Sequence, residues 1–305
     1  MRITLTGATG PIGRRLVAAL QRRGDEVTVL SRNAGRAREA LGVEAVGWDP
    51  MKGPAPVAAL AGRDGVVHLA GETVAQRWTD TARRRIHDSR ETGTRNLVAG
   101  IRAVAEGGRP RVLVSSSAVG LYGKHGDERL DESTPPGDDF LAGVTVAWER
   151  EARAAEEAGM RVVLVRTGVV LDRSGGALAK MLPFFRLGVG GPVAGGRQYL
   201  PWIHVDDIVG LYVAALDGEA WSGPVNGSAP EPVTNKTFSR ALGRALRRPA
   251  FAPVPAFAIR LLYGQMAEIV TEGQRAVPAR PLELGFAFRH PDLDEALADA
   301  LQTGR

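Results

Sequence analysis

Three glycines spaced three apart, Gly7, Gly10 and Gly13, are the residues of this chain whose type and spacing imply chemistry most directly. They lie in Gly7-Ala8-Thr9-Gly10-Pro11-Ile12-Gly13. A short apolar run at residues 3–6 precedes them, and Ile12, Leu16, Val17 and Leu20 follow at helical spacing. Glycines there permit a tight strand-to-helix turn and let the backbone approach a pyrophosphate. The helix N-terminus behind them offers unpaired amides and the positive end of its dipole. A glycine turn alone is a common feature. Placed after a strand, opening a helix and followed by a second strand at Glu26–Ser31, this one reads as a dinucleotide cradle.

The end of that second strand separates the two nicotinamide cofactors. A carboxylate there holds the ribose hydroxyls of NAD, and a cation there meets the 2′-phosphate of NADP. The residues are Val29-Leu30-Ser31-Arg32-Asn33, with Arg36 close behind and no acid. Ser31 can donate a hydrogen bond and Arg32 a bidentate or stacked guanidinium, although a solvent-exposed arginine is the alternative. NADP(H) is the expected cofactor.

Other chemistry-bearing types are sparser. Ser115, Ser116 and Ser117 end a strand, Tyr122 sits in a Leu-Tyr-Gly turn, and His204 stands beside Trp202 at the junction of two lobes. His204 could titrate near neutrality or be a satisfied structural histidine. His68, in mid-strand, reads as buried and hydrogen-bonded. The five histidines show no metal-ligand spacing, so no metal is expected. The serines lack the Gly-x-Ser-x-Gly elbow of hydrolases. The absence of cysteine excludes disulfides, thiolate zinc sites and thiol nucleophiles, and fits a cytoplasmic protein.

The elements that must hold these residues alternate. Strand-like runs at 3–6, 26–31, 43–48, 65–69, 111–115 and 161–165 are separated by helical stretches, the longest at 79–104 and 142–158. This pattern predicts an α/β fold, a Rossmann-type doubly wound parallel sheet, over residues 1–166. After Arg166 the texture changes: a glycine-rich loop, a short helix at 177–187 and Gly190-Gly191-Pro192 follow. Residues 203–222 are expected to return to the first domain. Residues 167–202 and 223–305, with helices near 235–247, 256–272 and 292–301, are expected to form a smaller α+β C-terminal lobe closing a cleft over the strand ends.

The residues together resemble the extended short-chain dehydrogenase/reductase superfamily. Its form of the glycine motif is Gly-x-x-Gly-x-x-Gly; Asp64-Gly-Val-Val-His68-Leu69-Ala70-Gly71 resembles its fourth-strand signature, and Ser115 through Gly123 its active-site strand end. Leu69-Ala-Gly-Glu72, Arg77-Trp78, Ser89-Arg90, Arg166-Thr-Gly, Gly190-Gly-Pro192 and Pro201-Trp202-Ile203-His204 narrow the likeness to an epimerase-like branch with its own C-terminal domain. The resemblance implies an NADP-binding protein. It places Leu69, Ala70, Gly71, Arg90, Ser115 and Val169 near the cofactor, and Glu72 where a carboxylate could orient a ribose or substrate hydroxyl or cap a loop; a surface salt bridge is the equal alternative for Arg90. It implies that Ser117 contacts substrate and that Tyr122 lines the site or packs.

One family feature is missing. Hydride-transferring members carry Tyr-x-x-x-Lys on the fifth helix, where the lysine lowers the tyrosine pKa. Aligned on Glu149, the corresponding residues are Leu141 and Thr145, which can do neither task. Ser117 and Tyr122 remain as candidate catalytic groups, and Trp202 and His204, with Lys180, Arg186 and Gln198, as candidate substrate contacts. The expected function is therefore an NADP(H)-binding, epimerase-like oxidoreductase of a small polar, nucleotide-sugar-like substrate. The alternative is a non-catalytic NADP(H)-binding redox sensor.

Bulk properties bound the partners. The chain has 305 residues, 44% hydrophobic and 24% charged, which suits a globular protein with a large core. No apolar run approaches the roughly 18 residues of a membrane span, and no signal peptide is read at Met1-Arg2. The net charge of +5 comes mostly from arginines interleaved with acids. Neither a nucleic-acid nor a membrane partner is expected on that ground. A monomer or a homodimer is expected; the apolar face Leu97, Ile101 and Val104 would allow a pairing of copies, and ordinary core packing explains it equally well.

Overall fold

The computed structural model describes residues 1–302. Seven strands make one parallel sheet: β1 (Arg2–Thr6), β2 (Glu26–Ser31), β3 (Glu44–Gly47), β4 (Gly65–His68), β5 (Val112–Ala118), β6 (Arg161–Thr167) and β7 (Gly223–Gly227). Their order is β7-β6-β5-β4-β1-β2-β3. The chain winds outward in one direction from β1 to β3 and in the other from β4 to β7, so the order switches between β1 and β4. A crevice opens at such a switch, outside the carboxyl ends of the strands.

The strands read as near-continuous apolar runs because both faces are covered. Six helices belong to this stage of the chain: α1 (Pro11–Arg22), α2 (Ala34–Leu41), α3 (Asp80–Arg102), α4 (Phe140–Arg153), α5 (Gly176–Arg186) and α6 (Val205–Asp217). On one face Leu16 and Leu20 of α1 and Ile208, Leu211 and Tyr212 of α6 pack against Ile3, Leu5, Val114 and Val165. On the other, Leu97 and Ile101 of α3 and Ala152 of α4 pack against Val66, Leu113 and Leu164. Leu97, Ile101 and Val104 are thus spent on ordinary core packing against the sheet.

The smaller lobe has its own core. Leu171, Leu178, Leu182 and Trp202 join Phe238 and Leu242 of α7 (Asn235–Leu246). Beyond α8 (Ala256–Tyr263), α9 (Ala267–Thr271) and α10 (Ala279–Glu283), α11 (Leu293–Leu301) closes that core with Leu293 and Leu297. Two features differ from the sequence expectation. Residues 223–227 are the seventh strand of the main sheet, paired with β6, and not part of the lobe. They sit at its edge, where Pro224 needs no partner for a missing N–H. The stretch 256–272 is also not one helix, because Gly264 (φ +62) turns the chain between α8 and α9. Among the described residues no helix is long and apolar enough to cross a membrane.

Candidate functional site

The glycine turn is built as its chemistry requires. Gly7 has φ +69, and a Cβ there would lie 2.6 Å from the Leu69 carbonyl carbon at the end of β4. A Cβ at Gly13 would lie 2.5 Å from the Gly7 oxygen and 2.6 Å from Ala8 Cα. Neither clash can be relieved by moving a side chain. At Gly10 the nearest atom is 3.3 Å away, so this glycine is required less by the fold than by what approaches it. Gly10 caps α1 with no side-chain hydrogen bond, and Pro11 occupies the first turn. The backbone of Gly7 through Gly10 lines the crevice directly before that turn, and the unpaired amides of a helix N-terminus are what receives an anion.

Thr6 locks the end of β4 onto this turn. Its hydroxyl accepts the N–H groups of Leu69 (3.2 Å) and Ala70 (3.3 Å) and lies 2.7 Å from His68 Nδ1. With both lone pairs engaged, Thr6 donates to Nδ1. The Nε2–H of a neutral His68 is then left for Thr94, 3.0 Å away. His68 is fully buried, and burial first and Arg90 second push its pKa down to about 4. It is a structural residue.

Around the turn lies a cleft of about 460 Å³. Thr9, Ser31, Arg32, Leu69, Ala70, Gly71 and Glu72 line it with Gly7 and Gly10. Arg32 is exposed and, among the described residues, has no ion pair. Ser31 Oγ accepts the Asn33 N–H at 3.3 Å, which shapes the strand end. Trp48, Asp49 and Met51 from the loop after β3 also line the cleft, as do Arg85 and Asp88 of α3, whose charged run reads in the sequence as a solvated helix face. They carry no motif; only the strand order brings them there.

Arg90, on α3, does not itself line the cleft but packs behind its Gly71–Glu72 wall. Its Nη1 donates to the carbonyls of Glu72 (3.0 Å) and Ile86 (3.1 Å), and its guanidinium carbon lies 3.3 Å from where a Gly71 Cβ would be. It also sits over the Trp148 ring, 5.0 Å from the centroid. Desolvation lowers its pKa to about 10, against the opposing charge of Glu72. Trp148 Nε1, buried alongside, has no hydrogen-bond partner among the described residues. Trp148 was legible only as a residue next to Glu149, not as a donor.

The structure takes three other candidates away from this cleft. Alternation along β5 turns Ser115 and Ser117 toward the side of α4, as it does Leu113. Ser115 is buried and donates to the Ser116 carbonyl. Ser117 donates to Glu149 Oε1 at 2.6 Å, and Glu149 is held by Arg166 through Nε (2.9 Å) and Nη2 (3.0 Å). Tyr122 completes this buried network: its hydroxyl donates to Asn226 Oδ1 at 2.7 Å and accepts from Arg166 at 3.1 Å. Burial pushes its pKa up to about 12. Ser117 and Tyr122 are thus occupied in holding β5, β6, β7 and α4 together.

Trp202 and His204 likewise turn inward. Trp202 is 1% exposed within the lobe core and donates Nε1 to the Glu231 carbonyl. His204 Nδ1 accepts the Asp206 N–H and so caps α6. Its Nε2 then carries the proton and faces Asp299 at 3.3 Å. His204, Asp206, His290 and Asp299 lie close enough to hold a cation. That tautomer, however, leaves no lone pair on the buried nitrogen aimed at the cluster. At the positions of the missing dyad, Leu141 packs against Gly120, and Thr145 donates to the Leu141 carbonyl at 2.7 Å. Val169 is half-buried, its N–H given to the Pro201 carbonyl.

Comparison with known proteins agrees with this fold. The profile of the NAD dependent epimerase/dehydratase family matches residues 3–225, ending within β7, and that of a domain of unknown function, DUF1731, matches residues 254–300. An Arabidopsis thaliana protein, "Epimerase family protein SDR39U1 homolog, chloroplastic", is 40% identical over 99% of this chain and 87% of its own length. A crystal structure of human epimerase family protein SDR39U1 with NADPH superposes with a TM-score of 0.89 at 36% identity, covering 98% of this chain and 99% of that one. A nucleoside-diphosphate sugar epimerase from Corynebacterium glutamicum superposes with a TM-score of 0.78 at 34% identity, over 99% of this chain and 58% of that one. With the doubly wound sheet, the glycine turn and these matches over nearly its full length, the chain belongs to the NAD dependent epimerase/dehydratase family.

Proposed function

We propose that the chain is an NADP(H)-binding, epimerase-like oxidoreductase of a small polar substrate, with the cofactor phosphates on the turn at Gly7–Gly13. The observation that carries this reading is the end of β2. It presents Arg32, free of ion pairs among the described residues, at the rim of the cleft and supplies no carboxylate for a ribose 2′-hydroxyl. The NADPH in the human relative's structure supports the same choice. Ser31 and Arg32 take the 2′-phosphate, and the amides of Ile12 and Gly13 face the pyrophosphate. Leu69, Ala70 and Gly71 lie against the adenosine side.

Bound there, the nicotinamide supplies hydride exchange at C4. The protein must hold the substrate and manage its charge. Arg90 is the fixed cation behind the Gly71–Glu72 wall of the cleft. Two of its hydrogen bonds are spent on backbone carbonyls, and its remaining donors are available beside Trp148 Nε1. It stands in for the lysine that Thr145 replaces. Glu72, half-buried opposite it, is the carboxylate placed to orient a hydroxyl.

A second reading is favoured by a specific observation. Ser117, Tyr122, Leu141 and Thr145 are all spent on internal contacts, which leaves no ordinary proton shuttle at the family's usual place. A redox sensor that binds NADP(H) without turning over fits this. The two readings separate by following NADPH absorbance with panels of carbonyl compounds and nucleotide sugars. Turnover that Glu72→Gln or Arg90→Met abolishes supports the enzyme. Tight NADPH binding with no turnover on any panel member supports the sensor.

A further inference from the structure

Two stretches of the chain contain no acid at all. Residues 173–205 and 232–267 together carry ten Lys and Arg and no Asp or Glu, leaving 29 bases and 34 acids, a net −5, for the rest of the chain. The fold joins the two stretches. Ala194 donates to the Val254 carbonyl, Val254 to that of Pro192, and Lys236 to that of Gly196, while Gly188 abuts Pro249. The same stretches hold the six most exposed large apolar side chains among the described residues: Phe184, Leu187, Val189, Phe251, Phe257 and Leu261. Phe251 is 81% and Leu187 77% exposed.

Leu187 and Val189 flank Gly188, and Phe251 follows Pro249, so their meeting point gathers three of these side chains. Around it stand Arg186, Arg247 and Arg248, all exposed and without an ion pair among the described residues. Phe257 and Leu261, four apart on α8, continue the apolar surface beside Arg260. Arg247 closes α7 with φ +53, a left-handed cap where glycine fits without strain. The chain keeps a guanidinium there instead.

We propose that this face docks on an anionic lipid surface, the apolar side chains entering the interface and the arginines meeting lipid phosphates. That mode needs no spanning segment, so the lack of one does not argue against it. Nucleic acid fits less well: Phe184, Phe251 and Phe257 could stack on bases, but aliphatic Leu187, Val189 and Leu261 offer no stacking plane and would occlude a phosphate track. Self-pairing across a two-fold axis would set the unpaired arginines of each copy against those of the other. A lipid bilayer answers both the charge and the apolar side chains.

The test is co-sedimentation of the full chain with phosphatidylcholine vesicles, with and without phosphatidylglycerol, at low and high salt. Binding is expected only to the anionic vesicles and weakens with salt. Leu187→Ser/Phe251→Ser and Arg247→Glu/Arg248→Glu are each expected to lower the bound-to-free ratio about tenfold or more. Melting temperature and NADPH binding should stay as in the parent, since none of these residues belongs to the cleft. The proposal is overturned by equal binding to neutral vesicles, by no binding to either, or by binding that ignores both double substitutions. Lipid-free dimerisation lost in the same variants, or equal affinity for duplex DNA, also overturns it.

Discussion

Replacing Glu149 by glutamine tests whether the Ser117–Glu149–Arg166–Tyr122 network is framework or catalytic machinery. Glu149 accepts three hydrogen bonds through its two oxygens, from Ser117 Oγ, Arg166 Nε and Arg166 Nη2. Glutamine keeps one oxygen and puts an amide donor where an acceptor stood, facing either a guanidinium or a hydroxyl. Both members of the ion pair are 6% exposed, so the Arg166 charge would be left uncompensated in the interior. Breaking a buried pair from one side costs about 3–5 kcal/mol. Against a total stability of about 5–15 kcal/mol, that is a large fraction. Urea unfolding should show a lower midpoint with an unchanged slope. Glu149→Leu combined with Arg166→Met should cost much less than the sum of the single changes, because no charge is then stranded. NADPH affinity below the unfolding transition should stay near the parent value. A loss of stability under about 1 kcal/mol, or full stability with NADPH binding abolished, would refute the structural role.

Two further outcomes follow from the site. Arg32→Ala, at an exposed position, should leave the melting temperature of the free protein unchanged and weaken NADPH binding by about 1.5–3 kcal/mol, the worth of a hydrogen bond to a charged group. NADH binding should be unaffected, as isothermal titration would read. Stability should also fall with acid. Above about pH 6.5 both folded and unfolded chains hold neutral imidazole at His68, but below it only the unfolded chain takes the proton until about pH 4. The loss approaches about 1.4 kcal/mol per pH unit for this residue, and burial lowers His204 in the same direction. Urea midpoints at pH 7, 6 and 5 check this, and a flat profile contradicts the buried neutral imidazole.

The sheet and the phosphate turn were legible because they rest on local patterns. Strands buried on both faces read as apolar runs, Leu16 and Leu20 recur at helical period, and the glycines serve contacts close in sequence or at a strand end. What escaped depends on distant partners. Ser117 looks available until β5 pairing and α4 packing set it against Glu149, 32 residues away. Trp202 looks like a cleft aromatic, yet α7 and α11 enclose it. Gly223-Pro224-Val225-Asn226-Gly227 has one strongly apolar residue and a proline, so nothing local marks it as a strand. Gly264 broke a helical pattern that Phe257 through Val270 otherwise sustains. The basic, apolar face of the second lobe was hidden by a whole-chain average of +5, which sums a cationic and an anionic part.

This cleft is expected to select the phosphorylated dinucleotide. The most direct test of that selection is a calorimetric titration of the purified chain with NADPH and with NADH under identical conditions. Tighter binding of NADPH by about ten- to a hundredfold, the scale of a charge-assisted contact to the 2′-phosphate, is the predicted result. Equal affinities, or a preference for NADH, would contradict it.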